Sequence, residues 1–162
     1  MSTGHPSMRR LHRKRGYAIG GAELMPDHKT IERAKRDLKE GKSPSTAAGE
    51  FVKQEIEHVR EGKHGARSTQ QAIAIGLSEA RRAGIPLRPP AHNKTSRETW
   101  KKAEHDYEQG QASPKTSHEG SSSRGRARLK AMKKEPKNTV SHGALSHQAR
   151  SAAVQRRRST GK

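Results

Sequence analysis

Ser43-Pro44-Ser45-Thr46-Ala47-Ala48-Gly49-Glu50-Phe51-Val52-Lys53-Gln54-Glu55-Ile56-Glu57-His58-Val59-Arg60-Glu61-Gly62 is the stretch on which the fold turns. Ser43 is placed to cap a helix, and Pro44 suits the first helical position, where a missing N–H costs nothing. Ala48, Phe51, Val52, Ile56 and Val59 recur at helical spacing and make one apolar stripe. The helix should run to about Glu61, with Gly62 as its stop. Gly49 is out of place by propensity, about 1 kcal/mol worse than Ala; close packing of a neighbouring helix is one reason to keep it.

Working outward, Thr30 to Glu40 predicts a preceding helix. Thr30 is its expected N-cap, Gly41 its stop, and Ile31, Ala34 and Leu38 its inner face. A following helix is predicted from Ser68, again a cap, to about Ala83 before Gly84, with Pro86 beyond. Its buried stripe is Ala72, Ile73, Gly76, Leu77 and Ala80, and the small residues permit a near neighbour. Three amphipathic helices within 27–87 predict an all-α, three-helix module at the lower limit of independent stability. A homodimer through that module would supplement its core.

The flanks read differently. Residues 1–26 are expected to be a disordered basic extension, and Met25 makes a natural translation start. Pro86, Pro89 and Pro90 mark a linker, placed at 88–98. Residues 99–162 are expected to be a degenerate basic repeat in a partly helical tail. Within it, Thr99 to Gln109 predicts a helix with Trp100, Ala103 and Tyr107 on one face. Residues 110–125 read as disordered, and Arg126 to Lys134 as nascent helix. A last helix is expected from Ser146, its cap, to Arg158, with Ala149, Ala152, Ala153 and Val154 as a thin apolar face.

The repeat rests on the order of signals. Thr30, Ala34, Gly41 and Pro44 recur as Thr99, Ala103, Gly110 and Pro114, and His64-Gly65-Ala66 recurs as His142-Gly143-Ala144. The second copy has lost most of the hydrophobic face and gained positive charge, which suggests a folded unit followed by a basic arm.

Charge carries the functional reading. The chain has 35 Lys and Arg against 16 Asp and Glu, a formal net charge of +19. Residues 27–84 are nearly balanced, with 12 basic and 9 acidic, whereas 85–162 hold 18 and 6. A surplus of this size implies a polyanionic partner, because Lys and Arg neutralise phosphates and release counterions. With 27% hydrophobic and 2% aromatic residues, little core can be built. The scattered Phe51, Trp100, Tyr17 and Tyr107 make no stacking platform for single strands, so a duplex backbone is the expected target.

Three stretches are candidates for nucleic-acid contact. The first is Lys63, His64, Arg67, Ser68, Thr69, Gln70 and Gln71, where a helix start offers N–H groups to phosphate and the glutamines can reach adenine edges. Arg81 and Arg82 at the far end of that helix add charge. The second is Arg124-Gly125-Arg126, a core resembling the AT-hook, whose arginines enter a narrow minor groove in extended form. The proline that usually follows is missing, and a plain solvated basic run is the simpler reading. The third is the tail, with Arg128, Lys130, Lys133, Lys134, Arg150, Arg156, Arg157 and Arg158, suited to many phosphate contacts with little sequence information.

Other chemistry is largely excluded. Without cysteine there is no disulfide and no thiolate zinc site. No apolar run approaches the roughly 20 residues of a membrane span. Glu55–His58 and Glu61–His64 have the i, i+3 spacing of carboxylate metal sites in bundles. No His-Glu-x-x-His or repeated ligand pair accompanies them, so solvated or backbone-bonded histidines, no metal and no cofactor are expected. No catalytic triad, Walker loop or nucleophile elbow occurs, and an enzyme is not expected.

Residues 26–87 also resemble a known family. The runs Lys29-Thr-Ile-Glu-Arg-Ala, Glu40-Gly-Lys-Ser-Pro-Ser-Thr, Ala48-Gly-Glu-Phe-Val and Arg60-Glu-Gly-Lys-His-Gly-Ala-Arg-Ser-Thr-Gln-Gln-Ala are similar to small basic bacterial proteins carrying a domain of unknown function, some loosely labelled DNA-binding. The resemblance implies a bacterial source and supplies no mechanism. The combined expectation is a non-enzymatic, nucleoid-associated protein of the cytoplasm that binds double-stranded DNA. An RNA- or ribosome-associated protein and a protein-interaction module are the alternatives.

Overall fold

The computed structural model describes residues 26–112 and 123–160. The described chain is all-helical: α1 (His28–Lys39), α2 (Pro44–Arg60), α3 (Thr69–Arg82), a 3-10 turn at His92–Lys94, α4 (Arg97–Ala112), α5 (Ser123–Met132) and α6 (His142–Thr160). The expectations of disorder over 1–25 and 113–122, and of a start at Met25, lie outside the described residues.

Helix ends follow local chemistry. Ser43 Oγ accepts from the Thr46 N–H at 3.2 Å, with Pro44 just inside α2, as the sequence predicts. Ser68 Oγ likewise accepts from the Gln71 N–H at 3.1 Å. α1 differs: Asp27, not Thr30, caps it, its Oδ1 accepting from Lys29 N at 3.3 Å. Thr30 is instead buried, and its Oγ1 accepts from Arg33 Nη2. α6 differs in the same way. Ser141 Oγ accepts from Ala144 N at 3.3 Å, so the helix starts before Ser146.

The main core joins Ile31 and Ala34 of α1, Ala47, Ala48 and Phe51 of α2, and Ala80 and Ala83 at the end of α3, with Leu38 and Leu77 packed beside them. Ile85 and Leu87, expected at the edge of a linker, fold back into this cluster. On α3 it is Ile75, not Ile73, that is fully buried. Gly76 carries the α2–α3 crossing: a Cβ there would meet Val52 Cα at 2.7 Å and Val52 N at 2.8 Å. Gly49 does not serve this purpose, because it is exposed and its Cβ position has nothing within 4 Å.

The second half is built into the first. α4 packs on α3 with Ala103 and Gly110 buried. Gly41 ends α1 at φ +77°, whereas its counterpart Gly110 lies inside α4, where a Cβ would run into the Arg81 carbonyl oxygen. Residues 132–140 form a strap over the α2–α3 junction. Gly65 N donates to Met132 O (2.9 Å) and Ala66 N to Pro136 O (3.0 Å). Thr69 Oγ1 donates to Thr139 O (2.6 Å), and Thr139 Oγ1 to Ala66 O (2.8 Å). Val140, fully buried, completes a second apolar cluster with Val59, Ala66 and Ala72. Burying one valine stabilises by roughly 1.5–3 kcal/mol and each hydrogen bond by about 1 kcal/mol. The strap is therefore a substantial part of so small a core, and the picture of a free arm does not describe it.

Candidate functional site

By sequence, the α2–α3 junction should present N–H groups and side chains to phosphate. In the structure its N–H groups are largely used internally: Gly65 and Ala66 donate to the strap, Arg67 N to Gln71 Oε1 (2.7 Å) and Gln71 N to Ser68 Oγ. Gln70 Nε2 donates to Gln148 Oε1 on α6 at 2.6 Å. Lys63 pairs with Glu61 at 2.9 Å and Arg67 with Glu135 at 3.4 Å. His64 and Thr69 are buried, so neither is placed to touch a duplex. Arg81 is buried too; its Nε donates to Leu87 O, and burial holds its pKa below the ordinary value. Arg82 is half-buried near Asp106, at 3.9 Å. These residues lie on or beside one helix, yet they serve as its seams to the rest of the chain.

The basic residues of the tail are placed otherwise. Arg126, Arg128 and Lys130 on α5, Lys133 and Lys134 after it, and Arg150, Arg156, Arg157 and Arg158 on α6 are all exposed. Lys130, Lys134, Arg150 and Arg158 form no ion pair among the described residues, and the acidic groups of the tail are few. The backbone of Arg124-Gly125-Arg126 is helical, not extended, since α5 begins at Ser123. A helix advances about 1.5 Å per residue and fans successive side chains apart, which is not the extended form of a minor-groove hook. The Arg124 side chain lies outside the described residues.

Beneath the strap is a cluster that sequence reasoning did not assemble. Glu55 (1% exposed) and His64 (0%) face each other, with His64 Nε2 3.5 Å from Glu55 Oε2. The half-buried His58 lies edge-on to His64, ring centroids 5.9 Å apart at 83°. Glu55, His58 and His64 each bring one ligand atom within 4.8 Å of the others. Glu79 of α3 is buried as well. Burial pushes the Glu55 carboxyl up to about 8, with the Glu79 charge adding and Arg128 opposing. Burial likewise raises Glu79 to about 7, opposed by Arg82 and Arg128. Desolvation lowers His58 to about 4, aided by Lys63 and His64. A signal for this was available: Glu55 sits four residues from both Phe51 and Val59, on the apolar stripe itself, and Glu79 follows Ile75 by four. His64 gives no such signal, because it lies in the loop between helices.

With this geometry in place, the comparisons with known proteins are narrow. A family of unknown function, DUF6496, is matched over residues 46–90, which take in Glu55, His58, His64 and Glu79. No curated protein and no solved structure matches the chain. No described helix is long and apolar enough to cross a membrane.

Proposed function

We propose that this is a non-enzymatic, nucleoid-associated protein that binds double-stranded DNA mainly through its phosphates, with little sequence specificity. The observation that carries the reading is the surplus of 18 basic over 6 acidic residues in 85–162, whose described members on α5 and α6 are exposed. Phosphate contacts of this kind fix position and affinity but carry no base information. The helical core holds α5 and α6 against the module through the strap and the Gln70–Gln148 contact, so the cations are presented from a fixed support. Base reading by Gln70 and Gln71 is not part of the proposal, because both side chains are committed within the chain.

The test is duplex DNA affinity across a salt series, using the full-length protein, since the strap belongs to the core. A steep log–log decline of affinity with salt is expected, nearly independent of sequence. The combined Lys130→Gln, Lys134→Gln, Arg150→Gln and Arg158→Gln variant should flatten the slope by about 0.9 for each phosphate it no longer neutralises. Weak binding at about 50 mM salt would sink the proposal and favour a protein partner. Tighter binding to duplex RNA of the same length would redirect it to an RNA target.

A further inference from the structure

We propose that Glu55, His58 and His64 form a binding site for one divalent transition-metal ion, with zinc the best match to the donors. The site lies beneath the strap, and its assignment does not rest on the DNA-binding reading. Two imidazoles and one carboxylate are a donor set that zinc takes with a fourth position left for water, at bond lengths of roughly 2.0–2.2 Å.

The arrangement is already close to what such an ion requires. Bonds of that length set tetrahedral ligand atoms roughly 3.4 Å apart, and Glu55 Oε2 and His64 Nε2 are 3.5 Å apart. Two imidazoles sharing a tetrahedral ion have ring centroids roughly 5 Å apart; those of His58 and His64 are at 5.9 Å and nearly perpendicular, which keeps them from colliding. The full set lies within 4.8 Å, so an inward shift of the His58 side chain by about 1 Å closes it. His58 is the half-buried member and marks the side of entry.

The surrounding contacts orient the ligands. His64 Nδ1 is 3.3 Å from the Gly65 carbonyl oxygen, which can only accept, so Nδ1 carries the proton and the Nε2 lone pair faces Glu55. A ligating histidine whose other nitrogen donates to a backbone carbonyl is the usual outer-shell pattern. Gln54, held by the Asp27 N–H donating to its Oε1 at 3.1 Å, donates from Nε2 to His58 Nε2 at 3.3 Å, so His58 must leave this bond or exchange its tautomer as it turns toward an ion. Glu55 Oε1 is buried and has no hydrogen-bond partner among the described residues. Such an oxygen is costly to leave unsatisfied, and a water in the fourth position of an ion held by Oε2 would donate to it. The competing occupant is a proton shared between Glu55 and His64.

The experiment is calorimetric titration of chelator-treated full-length protein with zinc chloride, repeated with cobalt(II) as a spectroscopic substitute. One tight equivalent is expected, with the visible cobalt absorption of a four-coordinate nitrogen–oxygen site and no thiolate charge-transfer band. Glu55→Gln keeps the side-chain volume while removing the anionic oxygen, and His58→Gln removes a half-buried ligand. Each should weaken binding by more than the 10- to 100-fold that loss of an outer-shell partner typically costs. His147→Gln, at an exposed position on α6, should leave it unchanged. If Glu55→Gln does not fold by circular dichroism, His58→Gln alone decides. Absence of a tight equivalent, or its retention in the ligand variants that fold, would overturn the proposal and leave the shared proton as the occupant.

Discussion

Replacing Gly110 by alanine tests, through the sign of one free energy, whether the second half of the chain is part of the fold. In an isolated or loosely attached helix, Gly→Ala is stabilising by about 1 kcal/mol. In the structure Gly110 is buried where α4 meets the end of α3. A Cβ there would run into the Arg81 carbonyl oxygen and lie 2.8 Å from Arg81 C and 3.2 Å from Arg82 C. These are backbone atoms of a helix end, fixed by the hydrogen bond of Gly84 N to Arg81 O at 3.0 Å, and they cannot swing aside as a side chain can. α4 must withdraw by more than about 1 Å, taking with it the burial of Ala103, the Arg82–Asp106 pair and the bond from Gln111 to Gly84 O. Overpacking of this kind costs about 1–3 kcal/mol, and the propensity gain offsets only part of it. Net destabilisation of up to about 2 kcal/mol is expected, measured as a lower urea midpoint by circular dichroism. A raised midpoint would refute the docking of α4 and restore the picture of an arm.

Gly49→Ala is the matching control, since its Cβ meets nothing; it should raise stability by about 0.5–1 kcal/mol in the same urea assay. Stability should also fall with rising pH. Glu55 and Glu79 have folded pKa values raised to about 8 and about 7, so their contribution is complete below about 4.5 and is lost as pH climbs through those values. His58, lowered to about 4, acts oppositely and destabilises only as pH drops below about 6.5. Each carboxyl lowers stability by on the order of 1 kcal/mol per pH unit between its ordinary value and its raised one, so Glu79 contributes up to about pH 7 and Glu55 up to about pH 8. Urea midpoints in chelator from about pH 6.5 to 8.5, at constant ionic strength, should therefore decline and level off above about pH 8, and Glu79→Gln should flatten the first part of the decline. A flat wild-type profile would contradict the burial of these acids. Finally, Thr139→Val should cost about 1 kcal/mol by removing the bond to Ala66 O. Amide exchange at Gly65 and Ala66 should quicken with it, and unchanged protection there would argue against the strap.

What could be read from the residues was local. The three helices of 27–87, the Ser43 and Ser68 caps and the glycine stops follow from side chains acting within one or two turns. The stripe of Ala48, Phe51 and Val59 follows from helical period alone. Local rules also misled where two residues competed for one role, as when Asp27 outranked Thr30 and Ser141 preceded Ser146. Gly41 and Gly110 look equivalent in sequence, and only the neighbour pressing on each separates a helix end from a helix crossing.

Composition by itself determined the helical class, the scarcity of core and the strong positive charge, because these depend on counts and spacing. Tertiary structure decided the rest. It closed the α2–α3 junction with Met132–Val140, turned predicted phosphate ligands such as His64 and Thr69 inward, and left the exposed cations on α5 and α6. It also brought a loop histidine against two helical residues to make the buried Glu55–His58–His64 cluster. The physical reason is that a periodic stripe can mark a residue for burial, whereas which distant residues approach it is a property of packing that no local pattern encodes.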